Sequence, residues 1–372
     1  MRLNFFDIIS LLGISQGLLL AFLLSKKHSA NHRSNRWLVL LLLLSCILLA
    51  SRLVLIGTLD LALFQRLSIV EPIIFLYGPL SYHYIRALLQ ENSSPSKVWR
   101  EYAFAMGYFL FVGYLNILPF QTFREQWAQG LFLIPFSLIE LFALAQNMYY
   151  WVITKQFLSI YNETSKHQIS YDQGALKFVG ISHKSIGVIL LFWLIGFVCS
   201  NVLGLQNVLF GYNAVWIALS LFIYLIAYFA LTQPEIFKVH LLHYSETRSK
   251  NHPRLQENEI AQLKSNLDTL MNQQKVFTNN KLTLSILAQH LNTSTNNLSW
   301  LLNKVYRTNF YDFINERRID EFIRRVKNQE HTTQTLLALS LEVGFNSKST
   351  FNKVFKSLKH DTPSNFIKKL PI

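Results

Sequence analysis

Long apolar runs fill the first two thirds of the chain and stop near residue 232. A helix needs about 20 mostly apolar residues to cross the hydrocarbon core of a bilayer. Seven stretches reach this length, at 5–24, 37–57, 67–89, 102–120, 131–153, 185–205 and 212–232. The pattern therefore predicts a seven-helix transmembrane bundle over residues 1–232.

The sequence after residue 232 is polar up to Pro253, and shorter amphipathic segments then begin. A helix is predicted over 254–276, where Ile260, Leu263, Leu267 and Leu270 recur at helical spacing. This stripe fits packing onto the following domain, and it also fits the seam of a short dimeric coiled coil. The chain divides into a membrane domain (1–232), a juxtamembrane connector (233–272) and a final domain (273–372).

The final domain opens with two short helices separated by a turn. The first is predicted over 282–291, and Asn292 and Thr293 form the turn. Ser294 can cap the second helix, because its hydroxyl accepts a hydrogen bond from a free N–H of the first turn. That helix extends to about residue 306 with its inner face formed by Leu298, Leu301, Leu302 and Val305. This order is typical of a helix-turn-helix unit.

The same order recurs near the C-terminus. A helix over 336–343 is followed by Gly344, which suits a left-handed turn, and by Ser347 as the cap of a helix over 348–358. The inner face of that helix is predicted to carry Phe351, Val354 and Phe355. A longer helix over 311–328 links the two units and contains Arg317, Arg318, Arg324 and Arg325. The predicted fold class is all-α throughout, with two helix-turn-helix units joined by a linker helix.

The distribution of charged residues differs between the two halves of the chain. Eleven Lys and Arg residues lie in the loops after the first, third and fifth predicted spans, against three on the alternate side. Because basic loop residues favour the cytoplasmic side, the N-terminus is predicted outside and the C-terminus inside. Residues 273–372 hold 15 Lys and Arg against 7 Asp and Glu, a basic excess that favours nucleic acid or an anionic lipid surface as partner.

The last 90 or so residues resemble the AraC-type DNA-binding domain in the order and spacing of their motifs. The matching segments are 284–288, Ser294 with 298–299, 309–315, 318–319, 342–347, Phe351, 354–356 and 362–364. The resemblance implies two recognition helices that enter successive turns of the DNA major groove, about 34 Å apart. Double-stranded DNA is then the expected partner.

Several positions depart from that family's pattern. Arg307 and His360 stand where the family usually has glycine at the end of each recognition helix. Trp300 replaces a polar or basic residue, Phe322 a small one and Ser340 an alanine. These differences affect the expected base contacts of the first unit more than the fold.

The outward positions of the two recognition helices are the candidate DNA contacts. They are Thr295, Asn296, Ser299 and Trp300 in the first unit, and Lys348, Ser349, Asn352, Lys353 and Lys356 in the second. Asparagine can pair with adenine through two hydrogen bonds, and basic side chains reach guanine or phosphate. Each of these side chains is also compatible with a solvated helix face. Trp300 is equally compatible with contact to a thymine methyl or a sugar and with packing against the linker helix.

The membrane half is similar to a seven-span subgroup of the same family. The matching segments are 13–17, 77–80 and 233–236. Arg52, Glu71 and Glu140 are ionisable residues within or near the spans and form a candidate ligand or signal site, because intramembrane charge is costly and usually functional. A structural ion pair between Glu71 and Arg52 is the alternative. Pro72 and Pro79 predict a broken helix in the third span.

These features predict a DNA-binding transcription regulator in the bacterial inner membrane that couples a membrane or extracellular signal to gene expression. RNA polymerase, an unknown small molecule and a second copy of the chain are candidate partners. The alternative is a transporter or receptor whose basic tail docks a protein. No enzyme, cofactor or metal is predicted, since familiar catalytic motifs are missing and Cys46 and Cys199 lie in apolar runs without metal-ligand spacing.

Overall fold

The computed structural model describes residues 5–26, 32–58, 60–89, 98–171, 174–205, 212–232 and 256–369. The elements in these ranges are helices, together with one isolated antiparallel bridge between Ile169 and Thr283. The chain folds into two compact units. The first comprises Met1–Leu158 and Gly174–Tyr244, and the second comprises Ser159–Gln173 and Ser245–Ile372. Residues 233–255 of the predicted connector, including the 233–236 motif, lie outside the described residues.

Nine α-helices are described in the first unit, although the end of the seventh belongs to the second unit. They are α1 (Phe5–Lys26), α2 (His32–Thr58), α3 (Leu61–Leu67), α4 (Tyr77–Leu89), α5 (Ala103–Ile117), α6 (Phe120–Ala128), α7 (Leu133–Ser165), α8 (Gly174–Phe197) and α9 (Tyr212–Thr232). The last residues of α7, from Ser159, belong to the second unit. Many large apolar side chains of this unit are exposed.

Four helical stretches in the described residues are long and apolar enough to cross a membrane: Phe5–Lys26, Ser34–Leu55, Ala175–Val202 and Tyr212–Thr232. Two bent pairs raise this number to six if each pair is one span: Leu61–Phe75 with Tyr77–Leu89, and Arg100–Ile117 with Phe120–Ala128. The predicted count of seven is therefore not confirmed. The fifth predicted span lies in α7, where Glu140, Gln146 and Asn147 interrupt the apolar sequence.

The third predicted span is broken, as its two prolines predict. A 3₁₀ helix over Ser68–Phe75 contains Pro72 and meets α4 at a bend of 40°. In a continuous α-helix the carbonyl of Phe75 would accept a hydrogen bond from residue 79, but Pro79 has no N–H. Gln146 of α7 donates to that carbonyl at 3.0 Å. The polar residues in α7 thus satisfy backbone groups that the break exposes.

The same arrangement occurs at the end of α5. The carbonyl of Leu115 would pair with residue 119, which is also a proline, and Gln65 of α3 donates to it at 2.6 Å. Gln65 is buried, so this hydrogen bond removes an unpaired acceptor from the interior. At Pro79 and at Pro119, an amide side chain from another helix thus takes the place of the missing backbone N–H as hydrogen-bond donor.

Small residues let α1 approach its neighbours closely. A Cβ added to Gly13 would lie 2.7 Å from the hydroxyl oxygen of Ser220 in α9, and one added to Gly17 would lie 2.6 Å from the sulfur of Cys46 in α2. Close packing at glycine is a common way to join helices in lipid, where no hydrophobic force drives association. This gives the 13–17 motif a packing role.

Within residues 256–369, the second unit contains seven further α-helices: α10 (Glu257–Asn272), α11 (Leu284–His290), α12 (Thr295–Trp300), α13 (Phe310–Lys327), α14 (Leu336–Glu342), α15 (Lys348–Lys359) and α16 (Pro363–Lys368). In α10, Leu263, Leu267 and Leu270 are buried in one core with α11, α12 and the start of α13. Of the two alternatives for this stripe, packing onto the following domain is the one observed.

Candidate nucleic-acid interface

The first helix pair consists of α11 and α12. The hydroxyl of Thr283 accepts from the N–H of Ile286, and the hydroxyl of Ser294 accepts from the N–H of Asn297, so a side chain caps each helix. Asn292 lies between the helices with φ of +50°. Asparagine tolerates this left-handed conformation better than most residues. The turn and the Ser294 cap predicted from the sequence are confirmed.

A π-helical turn over Leu301–Val305 extends α12. Leu298, Leu301 and Leu302 are buried as predicted, but Val305 is 39% exposed. The prediction that Val305 faces inward is wrong, because a π-helical turn holds more residues than an α-turn and rotates the following side chain away from the core.

The second helix pair, α14 and α15, has the same arrangement of a helix, a left-handed turn and a capped second helix. Gly344 forms the turn with φ of +105°, and the hydroxyl of Ser347 accepts from the N–H of Thr350 to cap α15. Phe351, Val354 and Phe355 are buried, which confirms the predicted inner face. The outer face of α15 is consequently fixed by this packing.

Helix α13 joins the two pairs into one unit. Its first half places Phe313 and Ile314 in the core shared with α11 and α12. Its second half places Ile319, Phe322 and Val326 in the core shared with α14 and α15. Since a packed core resists deformation, α13 holds both recognition helices in a defined relation.

The candidate DNA contacts lie at the surface of α12 and α15. Those with exposed side chains are Thr295, Asn296, Lys348, Ser349, Asn352, Lys353 and Lys356; Ser299 and Trp300 are half-buried. Trp300 packs against the core formed by α10, α11, α12 and the start of α13. The structure thus brings the candidates together on two capped helices and gives Trp300 a packing role as well.

Two of the linker arginines form hydrogen bonds to carboxylates within the protein. Arg324 donates to Glu321 at 2.7 and 2.8 Å, and Arg325 donates to Glu342 at 2.6 Å. The hydrogen bond from Arg324, together with Lys275, lowers the pKa of Glu321 to about 2. The basic excess available to a nucleic acid therefore comes mainly from outside α13.

Arg318 differs from its neighbours because its side chain is only 1% exposed. It donates to the backbone carbonyls of Phe277 at 2.7 Å and Asn279 at 2.8 Å. Burial lowers its pKa to about 10. This role was missed from the sequence, although a signal existed: residues 314, 318 and 322 follow at intervals of four, so Arg318 lies on the same helix face as Ile314 and Phe322.

The structure shows how four of the departures from the family pattern are accommodated. Arg307 and His360 both adopt left-handed backbone, with φ of +53° and +55°, where glycine would be unstrained. Phe322 is fully buried and its ring centroid lies 4.7 Å from that of Phe351. Ser340 is buried and donates to the carbonyl of Leu337 at 2.7 Å. The larger side chains are thus accommodated in the core.

The three candidate signal residues lie in the first unit. Glu140 accepts hydrogen bonds from Trp193 at 2.8 Å and Tyr212 at 2.9 Å. Glu71 and Glu140 line a cavity of about 590 Å³, whereas Arg52 lies outside its lining and donates to Asn213 at 3.3 Å. Glu71 and Arg52 do not form an ion pair between their described side chains.

Residues 287–369 match a family model described as a helix-turn-helix domain. This match supports the predicted AraC-type regulator and the assignment of DNA as a partner. No curated protein and no solved structure matches the chain. The family match covers less than a quarter of the 372 residues, so it characterises the C-terminal domain.

Proposed function

We propose that this protein is a sequence-specific DNA-binding transcription regulator held in the bacterial inner membrane. The single observation that carries the proposal is the pair of capped helices, α12 and α15, whose polar outer faces are fixed by packing on one shared helix, α13. Two helices fixed in this way can each present side chains to the major groove. The basic excess of residues 273–372 would attract the phosphate backbone.

Within the interface, the proposed base contacts are Thr295, Asn296, Ser299, Lys348, Ser349, Asn352 and Lys353, and the half-buried Trp300 is a further proposed contact. Lys356 lies one turn further along α15 and is proposed to contact phosphate. Backbone contacts position a protein on DNA, and base contacts select the sequence.

Membrane attachment is supported by four apolar helices in the first unit. We place the N-terminus outside and the DNA-binding domain in the cytoplasm, on the strength of the basic loop residues. RNA polymerase and a second copy of the chain are further proposed partners. Because the α10 stripe is buried in the chain's own core, a dimer would use another surface.

The cavity of the first unit is the proposed signal site. Its volume of about 590 Å³ lies within the range of small-molecule sites. Apolar side chains dominate the lining, and Tyr84, Ser182 and His183 each contribute a buried polar atom without a hydrogen-bond partner among the described residues. Such atoms favour an apolar ligand that also forms hydrogen bonds.

Thermal-shift screening of the full chain in lipid nanodiscs tests the signal site. Long-chain alcohols and their matched alkanes serve as probes. We expect the alcohols to raise the unfolding temperature of the parent protein more than the alkanes, and Ser182→Phe, which fills the cavity, to abolish that difference. Ser185→Phe, on the same helix but outside the lining, is the control. Equal shifts for alcohols and alkanes would exclude a hydrogen-bonding site.

DNA binding is tested with the full chain in nanodiscs and a labelled duplex from the region upstream of its own gene. Fluorescence anisotropy should show affinity at least about 10³-fold higher than for a shuffled duplex of equal length. Equal affinity for both duplexes would contradict sequence-specific recognition.

A further inference from the structure

A segment from the connection between α7 and α8 forms part of the second unit. Residues 166–170, here called the strap, lie against the start of α11, where Ile169 forms an antiparallel bridge with Thr283. Ile169 is 2% exposed and Ser170 is fully buried. The DNA-binding unit is therefore assembled from two distant parts of the sequence.

The strap supplies hydrogen-bond acceptors to the N-termini of two helices. The carbonyl of Gln168 accepts from the N–H of Leu284, the first residue of α11, at 2.9 Å. The carbonyl of Lys166 accepts from the N–H of Tyr311, the second residue of α13, at 2.9 Å. The first N–H groups of a helix have no partner within the helix, so the strap supplements the caps provided by Thr283 and Asn309.

The strap also completes the environment of Arg318. Nη1 of Arg318 donates to the carbonyl of Ser170 at 2.8 Å, and Nη2 donates to the hydroxyl of Ser170 at 3.1 Å, across 148 residues of sequence. The side-chain amide of Asn315 donates to the same carbonyl at 3.2 Å. No carboxylate forms an ion pair with Arg318 in the described part of the chain. Carbonyl and hydroxyl oxygens, together with the ring of Phe345, whose centroid lies 5.8 Å from the guanidinium carbon, compensate this buried cation, and two of the oxygens belong to the strap.

The helices that the strap contacts determine where the recognition helices lie. Helix α11 packs against α12, and α13 contributes to the cores beneath both α12 and α15. Loss of the strap would leave two helix N-termini and a buried guanidinium short of acceptors. Buried donors without acceptors are costly, so the unit would open locally at α11 and at the start of α13.

The chain joins the strap to two helices that line the cavity. Thr154 on α7 precedes the strap and Phe178 on α8 follows it, and both residues belong to the lining. A change in the separation or rotation of α7 and α8 would consequently act on the strap through covalent connections at both of its ends.

We propose that the strap is an intramolecular ligand of the helix-turn-helix unit, and that its docking controls DNA binding. The docked strap corresponds to the DNA-binding state. Release of the strap loosens α11 and α13 and lowers the affinity for DNA. This inference rests on the proposed DNA-binding function and adds a physical route by which the membrane helices regulate it.

The test uses the full chain in nanodiscs and the substitution Ile169→Asp, which places a charge at a buried position of the strap. The matched control is Ile160→Asp, because Ile160 is 62% exposed and lies in the same part of the second unit. DNA affinity is measured by anisotropy, and hydrogen exchange reports the amides of Leu284 and Tyr311 directly. We expect Ile169→Asp to weaken DNA binding at least tenfold and to speed exchange at both amides, while Ile160→Asp matches the parent.

A synthetic peptide of residues 159–173 provides a second measurement. Added to Ile169→Asp, it should restore part of the DNA affinity, whereas the same peptide carrying the aspartate should not. Unchanged affinity and exchange in Ile169→Asp would overturn the inference. If Ile169→Asp loses protection throughout 256–369, the milder Ser170→Ala decides: faster exchange at Leu284 supports the inference and parental exchange overturns it. A parent protein that does not bind DNA would instead refute the proposed function, whatever the exchange results.

Discussion

Gly344 lies directly against the buried guanidinium of Arg318. A Cβ added to Gly344 would lie 2.8 Å from Nε of Arg318 and 2.6 Å from the carbonyl oxygen of Phe277. Gly344 also has φ of +105°, a conformation that other residues rarely adopt. The turn at Gly344 and the position of the Arg318 side chain on α13 therefore constrain each other.

Replacing Gly344 with alanine should destabilise the second unit. Backbone strain at such a φ costs about 1–3 kcal/mol, and the collision with Arg318 and Phe277 adds to it. Faster hydrogen exchange in α13 and α14 of the full chain would report the loss. Gly204→Ala is the control, because Gly204 also has positive φ, of +62°, but nothing lies within 4 Å of its added Cβ. Exchange in α13 and α14 as slow as in the parent would show that Arg318 can move aside.

Replacing His360 with glycine should stabilise the second unit. His360 ends α15 in a left-handed conformation, and glycine there removes a strain of about 1 kcal/mol. The gain is measured as a rise in the unfolding temperature of the full chain, with limited proteolysis used to monitor unfolding of the C-terminal domain. Arg307→Gly should act in the same direction, whereas Lys359→Gly, inside the helix, should destabilise. A lower unfolding temperature for His360→Gly would show that the imidazole forms compensating contacts.

Substitutions on α15 should separate base recognition from phosphate binding. Lys348→Ala and Lys353→Ala should each cost about 1–3 kcal/mol and relax the preference at one position of the DNA site, if these side chains contact bases. Lys356→Ala should weaken binding to all sequences alike. Binding to a panel of single-base variants of the site distinguishes the two patterns. Lys281→Ala, an exposed lysine outside both recognition helices, is the control. Parental binding by all three α15 variants would place the DNA-binding surface elsewhere.

Reporter fusions test the membrane orientation proposed for the first unit. A reporter fused after Thr58 should be external, and reporters fused after Lys97 or Ser249 should be cytoplasmic, because eleven basic loop residues lie on one side and three on the other. Alkaline phosphatase and green fluorescent protein fusions give complementary signals. An external location for Ser249 would be incompatible with access to DNA.

Much of the second unit could be predicted from local sequence. The caps at Ser294 and Ser347, the turn at Gly344 and the buried face of α15 all follow from short-range patterns, and the structure confirms them. The strap could not be predicted in this way, since Ser170 and Arg318 are 148 residues apart and a polar pair of this kind leaves no periodicity. The one signal in the sequence, the position of Arg318 on the same helix face as Ile314 and Phe322, was missed.

The first unit was harder to predict for a different reason. Hydropathy identifies uninterrupted apolar spans, and four of them are confirmed as helices of sufficient length. Gln146 interrupts the apolar pattern of α7. Its side chain donates to the carbonyl of Phe75, which Pro79 leaves without a backbone donor. The cavity depends on contacts among several helices, so the sequence indicated Glu71 and Glu140 but not Tyr84, Ser182 or His183.

The salt dependence of DNA binding tests the central claim most directly. Lysine and arginine contacts with phosphate release counterions, so the logarithm of the association constant falls linearly with the logarithm of the salt concentration. For the full chain in nanodiscs on its specific duplex, we expect a slope several units negative. Lys356→Ala should make it less steep by about one unit. A flat salt response, or no binding at low salt, would contradict the assignment of this protein as a DNA-binding regulator.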